Sequence, residues 1–357
     1  MNLLETEDIA DEDAGAVMAR EQRQIVKIGV GQEIAAEAVD DKGQDQRGDG
    51  DDIDAREAVD RNELQQVRAI SPGLTFRDYR AISENVQGLE EYATPDVYAH
   101  ALADKRFVME KLSYVSDGLT VYAYLYRPAV APTSKMPVIV FNRGSWTRPS
   151  FHAEMLPMAE RLADSGFLVI APMYRGSGGA PGRDELGGVD LDDLFNLLPL
   201  IKAIPYADSS QLFLYGESRG GMMVVQALRD GFPARAAATY GAFTDLDAML
   251  QNPYWLKAGT QIWGDELDKN RNALVERRSA MRWADRLNAP LLLMQGAQDH
   301  AVDPSQSLRL AGELHRLNKP FELVLMDGED HMLTGRAAER DRLTVEWFKK
   351  HMVLAPR

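Results

Sequence analysis

"LYGESRGG", Leu214–Gly221, sets Ser218 between two glycines in a G-x-S-x-G pattern. The run Leu212–Tyr215 before it is apolar and strand-like, and "MMVVQALRD" after it has helical character. A serine at a sharp strand-to-helix turn is forced into a strained backbone with its hydroxyl pointing outward, which needs small neighbours at Gly216, Gly220 and Gly221. The following helix would aim its N-terminal amides at the same place, making the backbone N–H of Arg219 a donor for a developing oxyanion. The plainer alternative is a glycine-flanked helix cap, and the sequence around the motif decides between them.

Outward from this motif, short continuous apolar runs alternate with helical patterns: "PVIVF" (137–141), "GFLVIA" (166–171), "QLFLY" (211–215), "RAAATY" (235–240), "PLLLMQG" (290–296) and "FELVLMDG" (321–328). Strands buried on both faces and separated by helices describe a mostly parallel, doubly wound α/β sheet with helices on both faces. Before them, "FVMEKLSYVSDGLTVYAYLYRP" holds two alternating runs around Ser116-Asp117-Gly118, which is hairpin chemistry. Two antiparallel strands, a parallel series and a strand-serine-helix junction midway give the order of the α/β-hydrolase fold, expected over residues 107–357.

A serine hydroxyl is a weak nucleophile near neutral pH and needs a histidine base oriented by a carboxylate. There are six histidines. In this fold the acid and then the base follow the serine along the chain, which removes His100 and His152. His315 and His351 fall in helical patterns, and His300 adjoins the best acid and would project elsewhere. His331, in "DGEDHMLTG" directly after an apolar run, is the expected base. Asp299, three residues after Gly296, is the expected acid, since that turn glycine carries its carboxylate to the strand edge shared with Ser218. Asp303 competes, but it precedes Pro304 at a helix start, where capping explains an acid.

These residues carry a resemblance. "YRGSGGAPG" (174–182), then "GESRGG", then "PLLLMQGAQDHAVDPSQSLRLAGELHRLNKPFELVLMDGEDH" resembles the catalytic domain of the prolyl oligopeptidase family of serine peptidases, from about Phe107 to the C-terminus. The resemblance implies Ser218 as nucleophile, Asp299 as acid and His331 as base, in agreement with the residue-level reading. Two departures accompany it. Family peptidases usually carry an N-terminal β-propeller that restricts access, whereas about 100 mostly polar residues precede the domain in this sequence. The loop after "PVIVF" reads "NRGSW", without the His-Gly-Gly loop or tyrosine that often helps bind the oxyanion in the family. The second donor is then expected from a backbone amide near Arg143 or Gly144, or from the Arg143 side chain, which could equally be salt-bridged in the loop.

The segment 246–278, "LDAMLQNPYWLKAGTQIWGDELDKNRNALVERR", is an excursion whose Tyr254, Trp255 and Trp263 are expected to cover an acyl or side-chain pocket, although aromatic helix packing explains them about as well. The glycine-rich "RGSGGAPGRDELGG" lacks the G-K-[ST] of a phosphate loop.

Of the formal charge of −15, residues 1–60 hold 18 acidic and 6 basic side chains, a net of −12. So acidic a stretch, poor in aromatics, buries too little apolar surface to offset its ordering entropy, and residues 1–61 are expected to be mostly disordered. A helical lead-in is expected over 62–106, broken at Ser71–Gly73. The negative charge argues against nucleic-acid partners, and no apolar run approaches the roughly 18 to 20 residues that span a bilayer. The opening residues lack the basic and apolar regions of a signal peptide, and with no cysteine, which excludes disulfides and thiolate sites, a cytoplasmic location is expected. No histidine-carboxylate spacing suggests a metal, so no cofactor is expected. A homo-oligomer is left open.

The resulting expectation is a serine hydrolase working through an acyl-enzyme, a peptidase on short or blocked peptides. A carboxylesterase on small acyl esters is the alternative, since fold and triad do not fix the leaving group. A non-catalytic binding scaffold is the third reading, which the strained serine elbow disfavours.

Overall fold

Asp117 and Gly118 have φ of 50° and 77°, the left-handed pair that a two-residue hairpin turn with the right-handed twist of its strands requires. They join β3 (Phe107–Ser116) to β4 (Leu119–Pro128), paired antiparallel from Ser116 opposite Leu119 to Phe107 opposite Pro128. The computed structural model describes residues 92–145 and 152–353, with the backbones of two further strands, β1 (Ile25–Gly29) and β2 (Ala69–Ser71).

Among the described residues the sheet has ten strands, in the order β1-β10-β9-β8-β7-β5-β6-β4-β3-β2. The parallel part is β5 (Met136–Asn142), β6 (Leu168–Pro172), β7 (Ala207–Glu217), β8 (Ala236–Tyr240), β9 (Leu291–Gly296) and β10 (Phe321–Met326). All six expected parallel strands form. Their continuous apolar runs follow from burial on both faces. In β5, Val138 and Val140 join one core while Ile139 and Phe141 join the other; β7 divides Leu212 and Leu214 from Phe213 and Tyr215 in the same way. Helices α1 (Pro95–Ala103), α2 (His152–Asp164) and the C-terminal α6 (Ala337–Lys350) cover the Phe213 face. Helices α3 (Arg219–Arg229), α4 (Pro253–Trp263) and α5 (Ser305–Arg316) cover the other. The architecture is the α/β-hydrolase fold.

The N-terminal region adds two short edge strands to the sheet. Ile25–Gly29, within the stretch expected to be mostly disordered, pairs antiparallel with β10 as an edge strand. Its sequence, IVKIG, holds three β-branched residues within that acidic segment. Ala69–Ser71, within the expected helical lead-in, instead pairs with the outer edge of β3, Ala69 opposite Leu112, where an open row of backbone groups outweighs local helix preference. The expected second helical stretch is present as α1. The remaining expectations for residues 1–91 lie outside the described residues.

Candidate active site

Ser218 has φ 49° and ψ −118°, outside the ordinary regions for a residue with a side chain. The turn that holds it is crowded. A Cβ on Gly220 would overlap the carbonyl oxygen of Asn142, and one on Gly216 would overlap the backbone of Gly220, so both positions have room for hydrogen only. Ser218 caps α3 with its backbone: its carbonyl accepts the Gly221 N–H at 2.9 Å, and its own N–H donates to the carbonyl of Tyr240 at 3.0 Å. The side chain makes no capping hydrogen bond, which separates it from an ordinary N-cap serine.

Asp299 and His331 meet although they come from different loops. Nδ1 of His331 lies 2.8 Å from Oδ2 of Asp299. A carboxylate only accepts, so the proton sits on Nδ1 and Nε2 is left as the basic nitrogen. The Asp299 carboxylate is buried and otherwise satisfied: Oδ1 accepts the N–H groups of Ala301 and Val302, and Oδ2 accepts from Nε2 of Gln295 at 2.7 Å. Gln295 is held in turn by Ser307, whose hydroxyl donates to Oε1 at 2.9 Å. Asp303, the competitor, is exposed and accepts the Ser305 N–H at 2.8 Å, and its hydrogen bonds to Ser305 lower its pKa. His300 and His315 are exposed, and His351 sits just past the terminal helix with Nδ1 against the carbonyl of Trp347.

Gly241 links the pair to the serine. It follows Tyr240, whose carbonyl binds Ser218, and a Cβ at Gly241 would lie 2.8 Å from Nδ1 of His331. The imidazole therefore packs against the backbone one residue from the anchor of Ser218. Strand order explains the convergence: β7, β8, β9 and β10 are neighbours, and Ser218, Gly241, Asp299 and His331 all follow their carboxyl ends, where open α/β sheets bind ligands.

The oxyanion expectations divide. The Arg219 amide is the first N–H of α3, at the position expected of a donor. The Arg219 guanidinium points into the protein, pairing with Asp184 and Asp190 and lying 4.4 Å from the centre of the Tyr174 ring. The two side-chain and loop alternatives have acceptors of their own. The Arg143 guanidinium is wholly buried and donates to the carbonyls of Met173, Gly144 and Ser145, to the Ser177 hydroxyl and to Asp184. The Gly144 N–H donates to Oε1 of Glu217 at 2.9 Å. Each of these donors is thus already engaged by a buried acceptor.

A cleft of about 450 Å³, its mouth included, opens beside Ser218. Phe243, Leu246, Met249, Ile262, Trp255 and Trp263 line it, so two of the three expected aromatic residues are in place. Tyr254 is not: it is 65 % exposed and turns its ring edge-on to Trp255 outside the cleft. Helical geometry accounts for this, because adjacent residues on α4 lie about 100° apart and only one of the pair can face inward. Trp255 Nε1 donates to the carbonyl of Ala301, tying the cleft wall to the loop of Asp299.

Gln295, Gly241, Glu217 and Tyr240 also shape the site, and the motifs do not single them out. Gln295 and Glu217 had a signal, each being a polar residue that closes an apolar run, LLLM before Gln295 and LFLYG before Glu217. Gly241 had no signal beyond following a strand.

Known proteins share this arrangement of elements. The pattern of the prolyl oligopeptidase family matches residues 149–354, more than half of the chain. The chain belongs to the prolyl oligopeptidase family. An uncharacterized peptidase of Bacillus subtilis (strain 168), YtmA, is 25% identical over 245 residues, covering 67% of this chain and 92% of that protein. The human acylamino-acid-releasing enzyme is 26% identical over 262 residues, covering 66% of this chain and 34% of its own. Among solved structures, a Mycobacterium tuberculosis puromycin-hydrolyzing peptidase superposes with a TM-score of 0.61 at 25% identity, over 70% of this chain and 40% of that one. The match thus spans 34% of the length of the human relative. Among the described residues no helix is long and apolar enough to cross a membrane, and no cluster of three His, Cys, Asp or Glu could hold a metal.

Proposed function

We propose that this chain is a serine peptidase of the prolyl oligopeptidase type that cleaves short or blocked peptides through an acyl-enzyme, with Ser218 as nucleophile, His331 as general base and Asp299 as the orienting carboxylate. The observation that carries the reading is the hydrogen-bonded Asp299-His331 pair beside a serine held at φ 49°. As Oγ of Ser218 bonds to the substrate carbonyl carbon, its proton passes to Nε2 of His331. Asp299 keeps the imidazole in the needed tautomer and stabilises the imidazolium. The oxyanion is received by the Arg219 amide at the positive end of α3. When the C–N bond breaks, the Nε2 proton goes to the leaving amine; water then repeats the sequence and frees the acid.

The cleft lined by Phe243, Met249 and the two tryptophans would take an uncharged side chain or acyl group. Among the described residues Arg219 is the one charged residue lining it, and its guanidinium is paired with Asp184 and Asp190. The test is turnover of blocked peptide amides against p-nitrophenyl esters. Hydrolysis of amides that Ser218→Ala abolishes supports a peptidase, and cleavage of esters alone would make the chain an esterase.

A further inference from the structure

Glu217, the residue before the nucleophile, is a carboxylate 1% exposed that has no part in the chemistry above. Burying a carboxylate is costly unless donors surround it, and this one has drawn them from three segments. Oε1 accepts the Gly144 N–H at 2.9 Å, with the Tyr92 hydroxyl at 3.4 Å, and Oε2 accepts the Tyr240 hydroxyl at 2.5 Å. Burial raises the Tyr240 pKa well above its usual value, opposed by the Arg340 guanidinium and reinforced by Glu217, so this phenol stays a donor.

The loop so gripped lies against the nucleophile. A Cβ on Gly144 would stand 2.9 Å from Oε1 of Glu217 and 3.3 Å from Cβ of Ser218, which places the Gly144 backbone beside both side chains. On its other side the carbonyl of Gly144 accepts from Nη1 of Arg143 at 3.0 Å. In a trans peptide the next N–H points opposite to that carbonyl, so the Ser145 amide is turned away from the buried guanidinium. Ser145 and Ser218 share the wall of the cleft.

We propose that Glu217 is a positioning residue: by accepting the Gly144 N–H it fixes residues 143–145 so that the Ser145 amide, rather than that of Gly144, completes the oxyanion site opposite Arg219. A loop held by an acceptor on the elbow itself keeps its distance from Ser218 constant, and preorganised donors act without reorganising during the reaction. The effect therefore belongs to kcat, because the interaction strengthens only as negative charge develops on the carbonyl oxygen.

The proposal rests on Ser218 being the nucleophile, and one experiment separates the two. A fluorophosphonate gives a tetrahedral adduct whose P=O oxygen occupies the oxyanion position, so its rate of labelling reports that site directly. Labelling rate, kcat and KM on a blocked substrate are measured for the full chain and for Glu217→Leu, Glu217→Gln and Tyr240→Phe. Glu217→Leu is expected to lower labelling and kcat by on the order of 10²-fold with KM within about threefold, the scale of losing one oxyanion donor. Glu217→Gln keeps a side-chain carbonyl for the Gly144 N–H and should recover to within about tenfold of the native rates. Folded Glu217→Leu labelling at the native rate, or equal losses in the Leu and Gln variants, would overturn the proposal. If Glu217→Leu does not fold, Tyr240→Phe decides: a drop of about tenfold in labelling and kcat is expected, and unchanged rates overturn it. An unlabelled native protein would instead defeat the assignment of Ser218.

Discussion

Oδ2 of Asp299 sits 2.8 Å from Nδ1 of His331, in a carboxylate that already accepts two backbone N–H groups and the amide of Gln295. Both oxygens of this acid are engaged, so its orientation is set before substrate arrives. Replacing it with Asn should allow the wrong imidazole tautomer and lower kcat by about 10³ to 10⁴-fold with little change in KM. Asp303→Asn, at an exposed helix cap where Asn also caps well, should leave turnover within a few-fold. Steady-state kinetics of the two purified variants distinguish them, and the reverse pattern would move the acid to Asp303.

The packing of Gly241 against His331 gives a second expectation. Gly241 has φ 54°, and a methyl group at this position would stand 2.8 Å from Nδ1, so Gly241→Ala must displace the imidazole or the backbone that anchors Ser218. Activity should fall by roughly 10²-fold or more, while the melting temperature drops only by the few degrees that about 1 to 2 kcal/mol of strain costs. Native activity in this variant would show that His331 is not held by this contact.

The cleft can be tested by filling it. Ala258 is buried in its wall, and Ala258→Phe should raise KM for blocked phenylalanine esters by about tenfold or more while blocked alanine esters keep kcat/KM within a few-fold. Parallel measurement of both substrates checks this, and equal losses on the two would place the acyl or side-chain site elsewhere.

Away from the site, Asp341 joins α6 to α2 by receiving Arg161 at 2.6 Å, and it also receives its neighbour Arg340 at 2.9 Å. Burial works to raise its pKa, but the two guanidinium groups prevail and hold it below the usual value. A depressed carboxylate contributes stability that is complete above its unfolded pKa, near 3.9, and is lost as pH falls through the lower folded value. Asp341→Asn should therefore cost about 3 kcal/mol at pH 7, as removing one partner of a buried pair does, and progressively less below about pH 4. Urea unfolding midpoints at neutral pH and near pH 3 measure the difference, and a penalty independent of pH would contradict it.

The parts of the fold and site that the sequence discloses are those with strong, local signals. The glycines around Ser218 and the two-faced apolar strands each point to one structure, and the placing of Asp299 and His331 on loops after strands followed from strand order. What stayed hidden depends on contacts across the fold. Whether Arg143 faces the site or the interior turns on Asp184 and Met173, residues far along the chain whose proximity no spacing reveals. The Gly144 amide is claimed by a side chain 73 residues away. Tyr254 and Trp255 are adjacent and similar, and only the rotation of α4 separates the exposed one from the one in the wall. The strand at Ile25–Gly29 exists through pairing with β10, which local composition cannot report.

If Ser218 is a nucleophile activated by His331, mass-spectrometric mapping of fluorophosphonate labelling on the native chain, Ser218→Ala and His331→Ala will show it. The expected result is a single adduct on the peptide carrying Ser218, absent from Ser218→Ala and slowed by on the order of 10³-fold or more in His331→Ala, with all three proteins folded by circular dichroism. Labelling that persists in Ser218→Ala, or that proceeds at the native rate in His331→Ala, would refute the assignment.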